Sequence, residues 1–358
     1  MLHHSIVFYN SEKWAAVPAN NGGNGPSWQH GDTLLVGFTV NEFKKTERGH
    51  QRASKPSSES WLAHSDDGGE NWHPWKPKGL NEMNPSILSI PSQGINFSNS
   101  GFVLRVVGNG YIQKAPGRWL FSEDLGRSWN GSFGFNELLS HPELENKEFT
   151  ARTAYLVEGE NKLDIFLSAR TRDESRRGIA LREKAFLART TDGGKNFNFV
   201  SWIVPWHDDC RAIMPAPVRL SPFKIVVTLR RKSRFANWID CYQTTDNGKS
   251  WTFLSEVGVT ELGNNFNGNP PAMILMRDGR LCCVYGNRTE RQIVARYSDD
   301  EGKNWSHIDV LRDDFHSANG WPDLGYPRLF QRTDGKLVTA YFWCTEKRPE
   351  THIEATIF

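Results

Sequence analysis

No stretch of the chain approaches the ~18–20 consecutive apolar residues that span a bilayer, so a helical membrane protein is excluded at the outset. Charge of one sign is also missing. The 358 residues carry 43 Lys+Arg against 41 Asp+Glu, a formal net charge of +2, and no large field draws the chain onto nucleic acid or an anionic surface. Cysteine is scarce. Cys210, Cys241, Cys282, Cys283 and Cys344 are odd in number and have no CxxC spacing, which argues against a disulfide framework or a zinc site and for small buried apolar side chains. No other metal-ligand cluster of recognisable spacing is present, and no cofactor motif. The N-terminus, MLHHSIVFYNSEKW, lacks a basic region followed by an apolar run, so as given it reads as cytoplasmic, or as secreted or periplasmic with its leader removed. A helical hydrophobic period of useful length is missing too.

What is abundant is aromatic and glycine: 14 Trp, 21 Phe and 31 Gly. That pairing suits many short strands joined by tight turns. An eight-residue pattern, Ser/Thr-x-Asp-x-Gly-x-x-Trp/Phe, occurs five times, as Ser65–Trp72, Ser122–Trp129, Thr190–Phe197, Thr244–Trp251 and Ser298–Trp305, at intervals of 54 to 68 residues. Its chemistry is that of a turn. Asp67, Asp124, Asp192, Asp246 and Asp300 can accept hydrogen bonds from the N–H groups of their own turns. The glycines supply a positive φ, and each aromatic packs between neighbouring sheets. The boxes therefore read as hairpin staples and not as rings of acids or calcium ligands.

Apolar runs broken by Asp278-Gly279 and Asp334-Gly335 add hairpin signals. A unit of ~50 residues with about four strands is the size of a propeller blade. Five boxed units, plus a tail of three strands near 326–333, 336–343 and 351–357 that HSIVFY at the N-terminus would complete, give the expectation. It is an all-β, six-bladed β-propeller of four-stranded antiparallel blades, closed by the N- and C-terminal strands as a single domain over 1–358. The long interval between the second and third boxes predicts a solvated surface insertion around Thr171–Gly178.

The boxes are Asp-box, or BNR, repeats, and the chain resembles the sialidase superfamily of six-bladed propellers. It is most similar to bacterial sialidase-like proteins in WAAVPANN (14–21), NGNPPA (267–272) and DLGYPRLFQRTDGK (323–336). The resemblance implies a site in which three arginines hold a substrate carboxylate, a glutamate-activated tyrosine is the nucleophile and an aspartate is the acid/base. Planar guanidinium groups suit a carboxylate, and a neutral phenol avoids repulsion at a carboxylated anomeric centre. By this resemblance Tyr326 takes the nucleophile's position and Arg288 that of a triad arginine. Arg211, Arg152 and Arg328 begin inner-strand motifs aimed at the axial channel.

The chain departs from the pattern in three places. Ala15-Ala16-Val17-Pro18 stands where an Arg-Ile-Pro motif is usual, Pro270 where the glutamate partner is expected, and ERGHQRAS, with His50, in the acid/base loop. His50 is thus the candidate proton-transfer group. Around it, Asp323 either pairs with Arg328 or shapes the rim. Asn269 ends a strand or binds sugar, Asn20 and Asn21 hold a turn or donate to hydroxyls, and Trp28 and Trp321 are core or stack on a sugar. His50, Tyr326, Arg288 and Arg211 are expected at one end of the channel, opposite the boxes. The implied function is an exo-acting, sialidase-like glycoside hydrolase on an acidic terminal sugar of an oligosaccharide. A uronic-acid lyase centred on His50 and a non-catalytic glycan binder remain as alternatives.

Overall fold

The computed structural model describes residues 2–16, 27–53, 58–80, 89–107, 117–171, 183–263 and 265–358. Asn20, Asn21 and the Val17-Pro18 segment lie outside these, as does the expected insertion after Thr171. The architecture is an all-β propeller; the helices among the described residues are a short α-helix, Asn136–Leu139, and a 3-10 turn, Pro142–Leu144. No helix among the described residues is long and apolar enough to cross a membrane.

The strands sort into antiparallel groups in chain order. The first comprises Lys13–Ala16 and Ser27–His30, both paired to Thr33–Glu42, followed by Glu59–Ser65 and His73–Trp75. The second is Val103–Val107, Arg118–Ser122 and Asn130–Gly134. A single parallel pairing, Lys184 with Ala212, joins the next two groups. These are Lys147–Gly159, Lys162–Thr171, Glu183–Thr190 and Asn198–Trp202, then Arg211–Arg219, Ile225–Lys232, Ala236–Thr244 and Thr252–Leu262. The fifth runs Pro271–Leu275, Leu281–Asn287, Gln292–Ser298 and Asp309–Arg312. The last is Gly325–Gln331, Leu337–Trp343 and His352–Ile357, completed by the N-terminal strand His3–Phe8 paired antiparallel to His352–Ile357.

Each group packs its apolar face on the next. Leu35 and Leu62 of the first meet Val103 and Leu120 of the second. Phe166 and Leu187 of the third meet Val227 and Leu229 of the fourth. The series closes where Phe330, Val338 and Phe342 of the last pack on Trp14, Leu34 and Phe38 of the first. The apolar strands bury residues on both faces, as a sheet sandwiched between two neighbours must. Four of the five cysteines, all but Cys210, lie in this core as small apolar side chains.

The five boxes are the staples expected. In the first, the Ser65 hydroxyl donates to Asp67 Oδ1 at 2.8 Å, and Asp67 accepts the Glu70 and Asn71 amides at 3.0 and 2.9 Å. The others repeat the pattern; hydrogen bonds from Ser250 and Thr244 hold the Asp246 carboxyl down to about 2. The box glycines have φ from +81° to +91°. They are also contact points. A Cβ on Gly69 would lie 2.8 Å from Val338 of the last group, one on Gly194 2.8 Å from Trp119, and one on Gly302 2.8 Å from Cys241, each in the preceding sheet. Every boxed turn thus presses bare backbone onto its neighbour.

Strand direction sets the geometry of the site. In the third, fourth and fifth groups the boxes follow the third strand, whereas Arg211 and Tyr326 lie at starts of first strands and Lys232 and Arg288 at ends of second strands. In an antiparallel meander these are opposite ends.

Gly248→Ala joins a backbone penalty to a clash with Leu187, and should cost about 2–5 kcal/mol. Gly279→Ala, with φ +87° and open space, should cost only about 1–2 kcal/mol. Urea unfolding of both variants measures the difference; equal losses would remove the inter-sheet contact from the explanation.

Candidate active site

Two half-sites meet at the end of the ring away from the boxes. The first is built on His50, in the loop between Thr33–Glu42 and Glu59–Ser65. Its Nδ1 lies 2.8 Å from Asp323 Oδ1 and 2.9 Å from Oδ2. Asp323 is buried and also accepts the Trp14 indole N–H at 3.3 Å. The His50 ring stands edge-on to Trp14 at 5.3 Å, with its side chain 48% exposed. A second tie anchors the loop, since Asn319 Nδ2 donates to the Gly49 carbonyl at 3.3 Å. Burial pushes the Asp323 carboxyl up, but the His50 charge and hydrogen bond, with Arg288 beyond, pull harder and leave it below its ordinary value. A histidine oriented through Nδ1 by a buried carboxylate, with the rest of its ring towards solvent, is arranged for proton transfer.

The second half-site is a set of buried cations. Cross-strand register puts Arg211 opposite Lys232 and Ile213 opposite Arg230, and alternation turns Arg230 and Lys232 to the same face, towards the fifth group. Arg230 Nη1 donates to the Tyr326 phenol oxygen at 3.3 Å and approaches Met214 Sδ at 3.5 Å. Both partners sit in bulged inner strands with left-handed backbone, Tyr326 at φ +55° and Met214 at φ +57°. Burial lowers the Arg230 guanidinium to about 10; Tyr326 opposes this, while Arg211, Arg152 and Arg288 reinforce it. Those four residues therefore lie within electrostatic reach of Arg230.

Arg152 and Arg211 share the fully buried Glu183, Arg152 through its Nη1 and Arg211 through its Nε at 3.3 Å, and Thr150 donates to the same carboxylate at 2.6 Å. Arg288 Nη1 donates to the Phe266 carbonyl, and the Lys232 ammonium to Asn267 Oδ1. Burial, Arg211 and Arg230 lower Lys232 to about 8, against the pull of Glu261. Glu261, fully buried, accepts the amides of Asn265, Phe266 and Gly268 at 2.6–2.7 Å and so fixes the loop that meets Arg288 and Lys232. Among the described residues Arg230, Arg288 and Lys232 donate to a phenol, a carbonyl and a side-chain amide, and an anion placed here would add counter-charge to them.

Of the residues singled out from sequence, His50 and Asp323 form one half-site and Tyr326, Arg288, Arg211 and Arg152 surround the other. The charge of Arg288 on Asp323 links the two. Arg328 stands apart from the pairing suggested for it: Asp323 pairs with His50, and Arg328 Nη1 donates to the carbonyls of Tyr326 and Pro327 at 3.2 and 2.7 Å. Burial holds the Arg328 guanidinium well below its usual value. Asn269 is fully buried, its Oδ1 accepting the Tyr326 amide at 3.1 Å. Trp321 packs edge-on against Phe266 at 4.9 Å, and Trp28 leans on the interface between the first two groups.

Arg230, Lys232, Glu183, Glu261 and Trp14 were not singled out from sequence. The run TLRRK carried a usable signal, since alternation along Ile225–Lys232 puts Thr228, Arg230 and Lys232 on one face. Trp14 and Glu183 act through contacts with other strands that no local pattern encodes.

The family profile described as BNR repeat-like domain matches residues 101–339, and one described as BNR/Asp-box repeat matches 63–74. No curated protein matches the chain. Among solved structures, a protein of unknown function from Dyadobacter fermentans is similar at TM-score 0.69 and 18% identity, over 99% of this chain and 98% of that one. The alpha-L-arabinanase of Penicillium chrysogenum, solved with arabinobiose, gives 0.57 at 14% identity over 97% and 98% of the two chains. The NanB sialidase of Streptococcus pneumoniae gives 0.58 at 11% identity over 99% and 70%. At these identities the likeness is one of fold.

Asp323→Asn tests the first half-site through stability. The folded carboxyl lies below its unfolded value of about 3.9, so its contribution is present above that pH and is lost as pH falls through the folded value. Urea midpoints of wild type and variant should differ most above about pH 4 and converge in more acid solution; a constant gap from pH 3 to pH 7 would speak against the ion pair.

Proposed function

Because the chain belongs to the BNR repeat-like domain family, within the sialidase-like propeller superfamily, we propose that it is a carbohydrate-active enzyme, a six-bladed propeller of one domain that hydrolyses the glycosidic bond of a terminal sugar bearing a carboxylate. The observation that carries this reading is the contact between Arg230 and the Tyr326 phenol inside a buried cation cluster, beside the His50–Asp323 pair. Support also comes from the activities of the fold neighbours, an arabinanase and a sialidase.

The substrate carboxylate lies against Arg230, Arg288 and Lys232, where low dielectric strengthens the attraction. His50, protonated and oriented by Asp323, donates a proton to the glycosidic oxygen as its bond to the anomeric carbon breaks. The Tyr326 oxygen bonds to that carbon as its phenolic proton passes to solvent, and Arg230 stabilises the negative charge that develops on the oxygen. His50, now neutral, takes a proton from water, the water oxygen displaces the Tyr326 oxygen, which regains a proton from solvent, and the free sugar leaves. Arg152, Arg211 and Glu183 hold the walls. Arg328 supports the backbone carbonyls of 326 and 327, and Asn21 remains a candidate donor to a sugar hydroxyl.

One observation favours elimination as a second reading. Among the described residues the hydrogen-bond partner of the Tyr326 phenol is a guanidinium and not the carboxylate expected of a sialidase nucleophile. In a uronic-acid lyase the cations would neutralise the carboxylate, a base among His50 and Tyr326 would remove the adjacent ring proton, and the C–O bond at the next carbon would break with protonation of the leaving oxygen. No water is consumed.

A panel of chromogenic sialosides, uronides and neutral glycosides, with near-ultraviolet absorbance followed on uronic oligosaccharides, separates these readings. Hydrolysis releases a saturated sugar; elimination yields an absorbing double bond; a binder gives neither. Tyr326→Phe and His50→Ala should each lower kcat/KM by about 10²–10⁴-fold. Unchanged turnover in both variants would refute the assignment.

Ligand binding carries its own pH signature. With Lys232 at about 8, and Arg211, Arg230 and Glu261 the charged groups around it, loss of its proton removes positive charge. Affinity for an acidic sugar should therefore weaken as pH rises through 8, and Lys232→Met should flatten that decline when binding is followed by calorimetry between pH 7 and pH 9. A wild-type affinity constant over that range would contradict the placement of Lys232 beside the anion.

A further inference from the structure

We propose that Asn269 is a positioning residue for Tyr326: it holds the tyrosine backbone in the left-handed conformation that aims the phenol, and it does not touch the sugar. The inference rests on the reading of Tyr326 as the reacting group.

Tyr326 has φ +55°, a region in which a bulky side chain costs about 1–2 kcal/mol and persists only where its surroundings enforce it. The strand offers no ladder partner at this point, because its register with Leu337–Trp343 slips between Gly325 and Arg328. The Tyr326 amide is taken instead by Asn269 Oδ1, at 3.1 Å, from the start of another group.

Asn269 is itself fixed. It is fully buried, and two glycines make its space. A Cβ on Gly325, whose φ is +107°, would overlap the Asn269 amide, and one on Gly286 would lie 2.8 Å from Nδ2. The following Pro270 confines the backbone of Asn269 to the extended region. The preceding loop is clamped by Glu261 through the amides of Asn265, Phe266 and Gly268. A short, neutral acceptor held on a rigid loop thus meets the amide of a strained tyrosine. Its burial, Nδ2 included, takes it out of reach of a substrate hydroxyl. Without that acceptor the Tyr326 amide is left unmatched, the backbone relaxes towards the β region, and the phenol moves off Arg230. A misplacement of ~1 Å in a reacting group can cost ~10² in rate.

Steady-state kinetics on the acidic aryl glycoside that the wild-type protein cleaves best provide the test, with thermal unfolding recorded for each variant. Asn269→Ala is expected to lower kcat by about 10²-fold with KM within about twofold. Asn269→Asp, which keeps an acceptor at the Oδ1 position, should recover at least about tenfold of the loss. In the Tyr326→Phe background Asn269→Ala should cause no further loss, because it acts through a group already removed. A raised KM with unchanged kcat would overturn the proposal by making Asn269 a sugar ligand. Losses that multiply in the double variant, or an Asp no better than Ala, would overturn it by making the role one of general stability.

Two failures are told apart by Tyr326→Phe alone. If that variant is as active as wild type, the reading of Tyr326 falls and this inference with it. If it is inactive while Asn269→Ala is fully active, only the inference falls. Should Asn269→Ala not fold, Gly286→Ala presses on Asn269 from outside the site and should lower kcat with KM held; an unchanged kcat there would also overturn the proposal.

Discussion

The structure depends on closure. A strand from the first ten residues pairs with a strand from the last ten, His3–Phe8 against His352–Ile357, and the same packing that joins successive sheets then joins the last to the first. Without that pairing the outer edge of the final sheet would be open, and the sheets at the two ends of the series would each expose an apolar face. Trp14 is where closure reaches the chemistry. It lies in the core between the first and last groups, and its indole N–H holds Asp323, which in turn holds His50. The contact that seals the ring therefore also orients His50, the residue proposed for proton transfer.

The repeated turns and the site divide the labour between the two ends of the ring. The box end is rich in local hydrogen bonds made within eight residues, so each staple forms from its own sequence. The opposite end is made almost wholly of contacts between distant segments: Tyr326 with Arg230, Tyr326 with Asn269, His50 with Asp323. It concentrates buried positive charge that the rest of the fold must tolerate. Glu183 offsets part of it by bridging Arg152 and Arg211, while Arg230, Arg288 and Lys232 are met by a phenol, a carbonyl and an amide. A closed pair would be indifferent to ligand; cations hydrogen-bonded to neutral acceptors retain their attraction for an anion.

This division explains what could be read in the sequence. The staples were legible because their chemistry is local: Asp67 and Gly69 do in the fold what their types and spacing imply. Closure by the terminal strands followed from the strand arithmetic. Tyr326 was reached by its resemblance to a nucleophile's position, and His50 from the loop that carries it. Arg230 was not, although two inner strands place their bulged residues against it, because its importance lies in facing another sheet. Asn269 was noticed but its partner was not. Only the three-dimensional register shows that its oxygen meets an amide fifty-seven residues away.

The central claim is that the end of the ring opposite the boxes binds an acidic sugar through cations gathered around Arg230. Calorimetric titration with an acidic monosaccharide and with its methyl ester, on the wild-type protein and on Arg230→Met, tests it most directly. The account predicts that the acid binds at least about tenfold more tightly than the ester and that the difference collapses in Arg230→Met, as the loss of a charge-assisted hydrogen bond of about 1.5–3 kcal/mol requires. Equal affinity of the wild-type protein for acid and ester would contradict it.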